Sequence, residues 1–304
     1  MAFEVTILGN SSASPTPNRH PSGQYVSICD HYLLIDCGEG TQMQLQKYKI
    51  KKSKISQIYI THVHGDHILG LPGLILSMNL MKHDKPLHVY GPKELFDILD
   101  VFFKHSNTEF CFPLHYHALD TEKPAIIFEN LYYSVKTFPL FHRIPTVGFL
   151  FEEHSILKKL NAVACQKLKI PFTHFNDIKM GKDYISPEGK VTLNELLTFP
   201  STRPLSYAYC SDTIYDERVI QAIHEADYLY HEATFMHDKL DRAIQTMHTT
   251  SKQAGMVAKK ANVNKLIIGH FSSRYEDLSQ LLTEAQTEFE NTELAEEGRT
   301  FIIE

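Results

Sequence analysis

Ile58, Tyr59 and Ile60 lead straight into Thr61, His62, Val63, His64, Gly65, Asp66 and His67. Alternate side chains of an extended chain share a face, so His62 and His64 point the same way. A turn at Gly65 brings Asp66 and His67 round beside them. A loop of the form HxHxDH directly after a strand opens two adjacent metal sites, and a chain that carries it must present that strand end at an open edge of the fold. The sequence has 18 histidines and no tryptophan, and histidine is the commonest side-chain ligand for zinc and similar ions. Spacing decides which of them matter. His115 and His117 share the HxH spacing, but no acid or turn glycine follows, so they read as ordinary strand-exposed residues.

Each catalytic ion needs about three protein ligands and an open position for water or substrate, so one loop does not complete two metal spheres. Three candidates stand where an apolar run ends: His142 in PLFHR, Asp212 in YCSDT and His270 in LIIGHFSSRY. An aspartate between two ions can bridge them at the roughly 3.5–4 Å separation useful for in-line phosphoryl displacement.

Strand patterns at residues 3–8, 25–28, 32–35 and 58–60 alternate with helix-period segments at 41–48, 71–81 and 93–103, each opened by a Gly or Pro boundary. Strand signal dominates 87–151, most clearly at 131–135 and 147–151. Alternation returns with strands at 207–209, 228–230, 266–268 and 301–303 and helices at 216–224, 251–261 and 275–289. Two such halves predict an α/β fold of two face-to-face sheets with helices outside, in one domain spanning 1–304. Residues 152–201, dense in Lys, Pro, Gly and Asp, break the rhythm and are expected to form an inserted arm.

At 304 residues, with 43% apolar side chains, the chain can bury a core without covalent staples. Cys29, Cys37, Cys111, Cys165 and Cys210 are odd in number and lack CxxC spacing, which excludes a disulfide framework and a thiolate zinc site. The opening MAFEVTILGN has no basic stretch followed by an apolar one, and no run of about 18 uncharged apolar residues occurs, so a cytoplasmic protein with no membrane partner is expected. A net charge of −6 means that any nucleic-acid contact is local.

The chain resembles ribonuclease Z, of the metallo-β-lactamase superfamily, over nearly its whole length. LGNSSASPTPNRHPSG, IDCGEGTQMQL, THVHGDHILGLPGL, PLFHR, YCSDT, HEATF, HTTSKQA and GHFSSRY are each similar to a family motif, in the family's order. HxHxDH alone establishes only the superfamily, whereas HEATF followed by HTT and GHFSSRY is far more specific. The resemblance implies that His62, His64 and His142 hold one metal, that Asp66, His67 and His270 hold a second, and that Asp212 bridges them. It also implies an αββα sandwich of two mixed β-sheets with outer helices, the metallo-β-lactamase fold, plus an inserted substrate-binding arm. Two zinc ions per chain are expected, with manganese or another divalent ion as substitute, in a homodimer that acts on precursor tRNA.

Two cations lower the pKa of a shared water and neutralise the phosphodiester oxygens it attacks. Asp66, beside that water, suits proton acceptance. His248 matches the family's catalytic histidine and suits protonation of the leaving 3′-oxygen, with Glu232 to orient it and stabilise its charge. Ser272, Arg274 and Tyr275 are expected to bind substrate phosphate, since Arg offers planar bidentate donors. His231 is expected to pack or cap at a strand end. The expected reaction removes the 3′ trailer, leaving a 3′-hydroxyl on the tRNA and a 5′-phosphate on the trailer. The alternative is a metal-dependent phosphodiesterase acting on small or cyclic nucleotide diesters. HTT and the arm argue against a thioesterase or lactamase, intact His64 against a di-iron oxidoreductase, and the complete ligand set against a non-catalytic RNA-binding relative.

The arm departs from the family pattern: Ile170, Pro171 and Phe172 are followed by Thr173 and His174, so the usual Gly-Pro pair is missing. Its lysines (Lys158, Lys159, Lys167, Lys169, Lys179, Lys182) either supply phosphate contacts or form a solvated helix face. Lys47, Lys49, Lys51, Lys52 and Lys54 pose the same choice, because a helix C-terminus favours cations.

Overall fold

A computed structural model describes residues 3–154, 158–199 and 203–304. The first half contributes β1 (Phe3–Gly9), β2 (Gly23–Ile28), β3 (His31–Ile35), β4 (Gln57–Tyr59), β5 (Leu87–Gly91) and β6 (Leu114–Ala118), with helices α1 (Thr41–Lys47), α2 (Gly65–Ile68), α3 (Leu71–Leu80) and α4 (Lys93–His105). Then come β7 (Ala125–Glu129), β8 (Tyr133–Leu140) and β9 (Thr146–Glu153). The segment expected as an arm holds β10 (Lys159–Leu160), α5 (Ala162–Lys167), α6 (Phe175–Lys179), β11 (Tyr184–Ile185), β12 (Val191–Thr192), α7 (Asn194–Leu197) and β13 (Thr198–Phe199). After it run β14 (Ser206–Cys210), α8 (Glu217–Ala222), β15 (Tyr228–Glu232), α9 (Leu240–Thr246), α10 (Ser251–Lys260), β16 (Lys265–Gly269), α11 (Ser279–Gln286), β17 (Thr292–Leu294) and β18 (Thr300–Ile303).

Two seven-stranded sheets have the orders β18-β1-β2-β3-β4-β5-β6 and β17-β16-β15-β14-β9-β8-β7. Period-two alternation sorts their side chains. Val26, Leu33, Tyr59, Phe149, Phe151, Tyr207 and Tyr230 face inward and form the core between the sheets. The alternate residues Leu34, Ile58, Leu150, Ala208 and Leu229 face outward, where α1, α3 and α4 cover one sheet and α8, α10 and α11 the other. The result is the mixed α/β sandwich with outer helices that the pattern predicts. Burying each large apolar side chain contributes roughly 1.5–3 kcal/mol.

Two boundaries differ from the sequence pattern, each for a local reason. The strand expected from 131 begins at Tyr133, because the Asn130 side chain accepts the amides of Tyr132 and Tyr133 and makes a turn there. The helix expected from 275 begins at Ser279, because the Asp277 carboxylate accepts the Ser279 amide and hydroxyl and holds the preceding residues in a turn.

The excursion between β9 and β14 leaves the sheet unbroken, since these strands pair directly, Ser206 opposite Glu152. It has its own small core of Cys165, Ile170, Ile178, Tyr184 and Leu197. Buried Asn194 ties it together by donating to the carbonyls of Ile178 and Lys182. The expected upper limit at 201 lies outside the described residues. Among the described residues no helix is long and apolar enough to cross a membrane.

Candidate metal centre and active site

β3 to β6 run parallel in one sheet and β14 to β17 in the other, and the C-terminal ends of strands are where such sheets build sites. The loop after β4 carries His62 and His64, and the short α2 turns Asp66 and His67 back toward them. His142 follows β8. In the second sheet, Cys210 pairs with His231 and Glu232 with Gly269, so Asp212, Glu232 and His270 emerge side by side. His270 has a φ of 58°, a left-handed turn at the end of β16, and this costs about 1–3 kcal/mol for a non-glycine residue.

Two clusters of nitrogen and oxygen atoms result. In the first, His62 Nε2 is 3.0 Å from His64 Nδ1, His142 Nε2 is 3.3 Å from His64 Nδ1, and Asp212 Oδ2 lies 3.7 and 3.8 Å from His62 and His142. In the second, His270 Nε2 is 3.3 Å from Asp66 Oδ2, His67 Nε2 is 3.6 Å from the same oxygen, and Asp212 Oδ1 lies 3.4 and 3.3 Å from His67 and His270. Asp212 thus turns one oxygen to each cluster. Metal–nitrogen bonds of about 2.0–2.1 Å place the corners of a tetrahedron roughly 3.3–3.4 Å apart, so both sets have the dimensions of a coordination shell. Buried His67 Nε2 has no hydrogen-bond partner, as expected of a nitrogen reserved for an ion. The clusters fit a divalent metal.

Most of the outward ring nitrogens are held in place. His67 Nδ1 is 2.8 Å from Asp36 Oδ2, His142 Nδ1 2.8 Å from the Met247 carbonyl, His62 Nδ1 3.0 Å from Thr61 Oγ1 and His270 Nδ1 3.1 Å from Thr234 Oγ1. Such bonds fix the tautomer that turns the other nitrogen inward. Asp36, buried and at a φ of 53°, also accepts the Thr61 amide and the Tyr209 hydroxyl. Sequence reasoning did not single it out; its signal is an acid at a strand end in IDCGEG. Asp36→Asn is expected to weaken metal affinity about 10–100-fold, measured by competition with a chromophoric chelator. Unchanged affinity would remove Asp36 from the support of the site.

Burial opposes ionisation of Asp66 and Asp212, but the facing imidazoles of His67 and His270 hold both carboxyls well below the usual carboxylate range. Burial keeps His62 and His142 neutral, the form that ligates metal. His67 is the exception: burial opposes its charge, but Asp212, Asp36 and Asp66 push it up, so this position holds a proton or exchanges it for a cation.

His248 Nδ1 is 2.8 Å from Glu232 Oε1, and its ring lies 5.1 Å from His142 and 5.4 Å from His270. Buried Glu232 is saturated by the amides of Thr213 and Thr234 and the Thr234 hydroxyl as well as by His248. Burial opposes charge on His248, but Glu232, with help from Asp212 and Asp66, pushes its pKa up to about 9. Next along the chain, Thr250 caps α10 in a reciprocal box with Gln253, worth about 1 kcal/mol, and anchors the loop.

Asp66, Asp212, His142 and His248 face a cleft of about 420 Å³ that Ser272, Arg274, Arg143 and Arg242 also line. Arg274 stacks on Phe235, 5.0 Å from the ring centre, with its Nε donating to Ser272 Oγ at 3.1 Å. Tyr275, expected with them, does not line this cleft: its hydroxyl accepts the Met236 amide and its carbonyl accepts Arg19. Buried His231 lies within 2.7 Å of the Glu232 carbonyl, in a strand-end packing position. His115 is exposed, but His117 is only half-buried and stacks on Tyr90 at 4.3 Å, because the edge strand β6 still faces the inter-sheet core. Lys54 lies over the Tyr32 ring at 4.5 Å, away from the cleft lining.

The family model described as "Anti-Pycsar protein Apyc1" matches residues 3–201, a span that ends before Asp212, His248 and His270. Over the full length, the chain is 43% identical across 296 residues to "Ribonuclease Z" of Bacteroides fragilis, covering 97% of each chain. It is 44% identical across 308 residues to "Ribonuclease Z" of Cytophaga hutchinsonii, covering 100% of this chain and 97% of the relative. Among solved structures, human tRNase Z, short form, superposes with a TM-score of 0.72 at 27% identity, covering 99% of both chains.

Proposed function

This chain belongs to the ribonuclease Z family and is a hydrolytic tRNA 3′-processing endoribonuclease, and from that premise we propose how its residues divide the reaction. His62, His64 and His142 hold one divalent ion and Asp66, His67 and His270 a second, with Asp212 shared. Zinc suits the imidazole-rich donor set, and manganese is the substitute. Bound there, the two ions supply a water acidified toward neutrality and neutralise the scissile phosphate. Asp66 accepts the proton of the attacking water. His248, held by Glu232, donates a proton to the leaving 3′-oxygen, so the tRNA keeps a 3′-hydroxyl and the trailer a 5′-phosphate. Ser272 and Arg274 bind phosphate beside the scissile bond. The working unit is a homodimer, checked by light scattering of the purified protein.

The observation that carries this reading is Asp212, whose two oxygens face the two ligand groups at 3.3–3.8 Å. Elemental analysis of protein purified without chelator is expected to find nearly two equivalents of metal per chain. A value near zero under metal-replete conditions overturns the two-ion centre. Cleavage of precursor tRNA beside that of a small diester such as bis(4-nitrophenyl) phosphate separates this reading from a small-diester phosphodiesterase.

We further propose that residues 152–201 act as a substrate-binding arm through Lys167, Lys169, Lys179 and Lys182. Replacing the arm by a Gly-Ser linker is expected to depress precursor cleavage severely while small-diester hydrolysis persists, because the arm's hold on the RNA phosphates vanishes and the metal loops remain. Alanine at the four lysines is expected to flatten the salt dependence of tRNA binding, the slope falling by roughly 0.7 for each phosphate no longer engaged. Equally weakened turnover of both substrates means that the segment supports the fold instead.

A further inference from the structure

The cleft in front of the ligand clusters carries three arginines, Arg143, Arg242 and Arg274, on a chain with a formal charge of −6. Among the described residues no carboxylate lies within ion-pair distance of any of them, although Arg203, Arg218 and Arg299 each have one. Guanidinium groups gathered without counter-ions on an acidic protein repel one another until an anion joins them. Arg274 stands beside Ser272 on the His270 side. Arg143 and Arg242 have no role in the site as described so far.

Their placement is shared. Arg143 directly follows the ligand His142, and its Nη2 donates to the Gln245 carbonyl at 3.3 Å, which ties the loop between β8 and β9 to the last turn of α9. Arg242 sits one turn earlier on that helix, its carbonyl accepting the Thr246 hydroxyl at 2.8 Å. The helix ends at Met247, at a φ of 57°, and the next residue is His248. Both arginines therefore border the cleft on the side from which His248 enters.

We propose that Arg143 and Arg242 form a second phosphate site, which holds the phosphodiester one nucleotide to the 5′ side of the scissile bond in a single-stranded RNA segment. The inference rests on His248 as proton donor to the leaving 3′-oxygen, because that role sets the nucleotide bearing the oxygen beside the end of α9. Its own 5′-phosphate then lies against two forked donors, each suited to paired phosphate oxygens. Arg274 takes the trailer side. The cleft thus reads strand direction through charge, independently of base identity.

The test compares wild type with the R143Q/R242Q double variant, both metal-loaded, on one RNA dinucleotide prepared bare, with a 5′-phosphate and with a 3′-phosphate. The 5′-phosphate is expected to raise wild-type kcat/KM by about 10-fold or more, the scale of charge-assisted hydrogen bonds, and the double variant to lose that stimulation while keeping any response to the 3′-phosphate. R143K/R242K recovers only part of it, since a lysine lacks the fork. Binding of the 5′-phosphorylated dinucleotide to metal-free protein, followed by calorimetry, is expected to weaken in step. The proposal is overturned if wild type does not respond to the 5′-phosphate, if the variant responds equally, or if the 3′-phosphate response is the one abolished. Failure of the underlying reading is distinct: a dinucleotide product that keeps the phosphate on the upstream nucleoside overturns the assignment of the leaving oxygen, whatever the arginines do.

Discussion

Asp212→Ala is expected to reduce bound metal from two equivalents to one or fewer and to lower precursor cleavage by at least about 10³-fold. The size follows from position. Every other ligand serves one cluster, whereas Asp212 Oδ2 faces His62 and His142 and Oδ1 faces His67 and His270. Its loss also removes the negative charge that the surrounding imidazoles hold ionised against burial. Asp212→Asn keeps the shape and loses the charge, so it separates geometry from electrostatics. Elemental analysis and cleavage assays on folded protein, verified by circular dichroism, give the answer. Two retained equivalents with a rate within tenfold of wild type would show that the centre does not depend on a shared carboxylate.

His248→Ala is expected to leave both metals in place and to slow cleavage by about 10²–10⁴-fold, the range for losing a positioned general acid. The variant discriminates because Glu232, His248 and His270 also lie close enough to form a third candidate ligand set. We favour the proton-transfer role, because Glu232 already accepts the Thr213 and Thr234 amides and the Thr234 hydroxyl besides His248, which leaves it no lone pair aimed at an ion. Loss of metal together with activity would make His248 a ligand instead. A leaving group that needs no proton, such as 4-nitrophenolate, should be released by His248→Ala at nearly the wild-type rate.

The loop from His62 to His67 was legible from spacing alone, because its ligands are contiguous and a strand enforces the direction of the first two. His142, Asp212 and His270 stood out as polar residues where apolar runs stop. Asp36 did not, since an acid that holds a ligand from behind looks in sequence like any acid after a strand; only its 2.8 Å contact to His67 distinguishes it. Arg143 and Arg242 were hidden for a related reason: far apart in the chain, they meet only because the loop after β8 docks on the last turn of α9.

By itself, the sequence determined the alternation of strands and helices, the two-sheet architecture and the identity of the histidines and aspartates at strand ends, because period and punctuation are local properties of a chain. Tertiary structure decided what local pattern cannot encode. It returned β18 from the end of the second half to pair with β1 in the first sheet. It stopped Tyr275 short of the cleft by engaging its hydroxyl with the Met236 amide. It brought residues from separate strand-end loops within coordination distance, an outcome set by how two sheets stack over a shared aromatic core and not by any one segment.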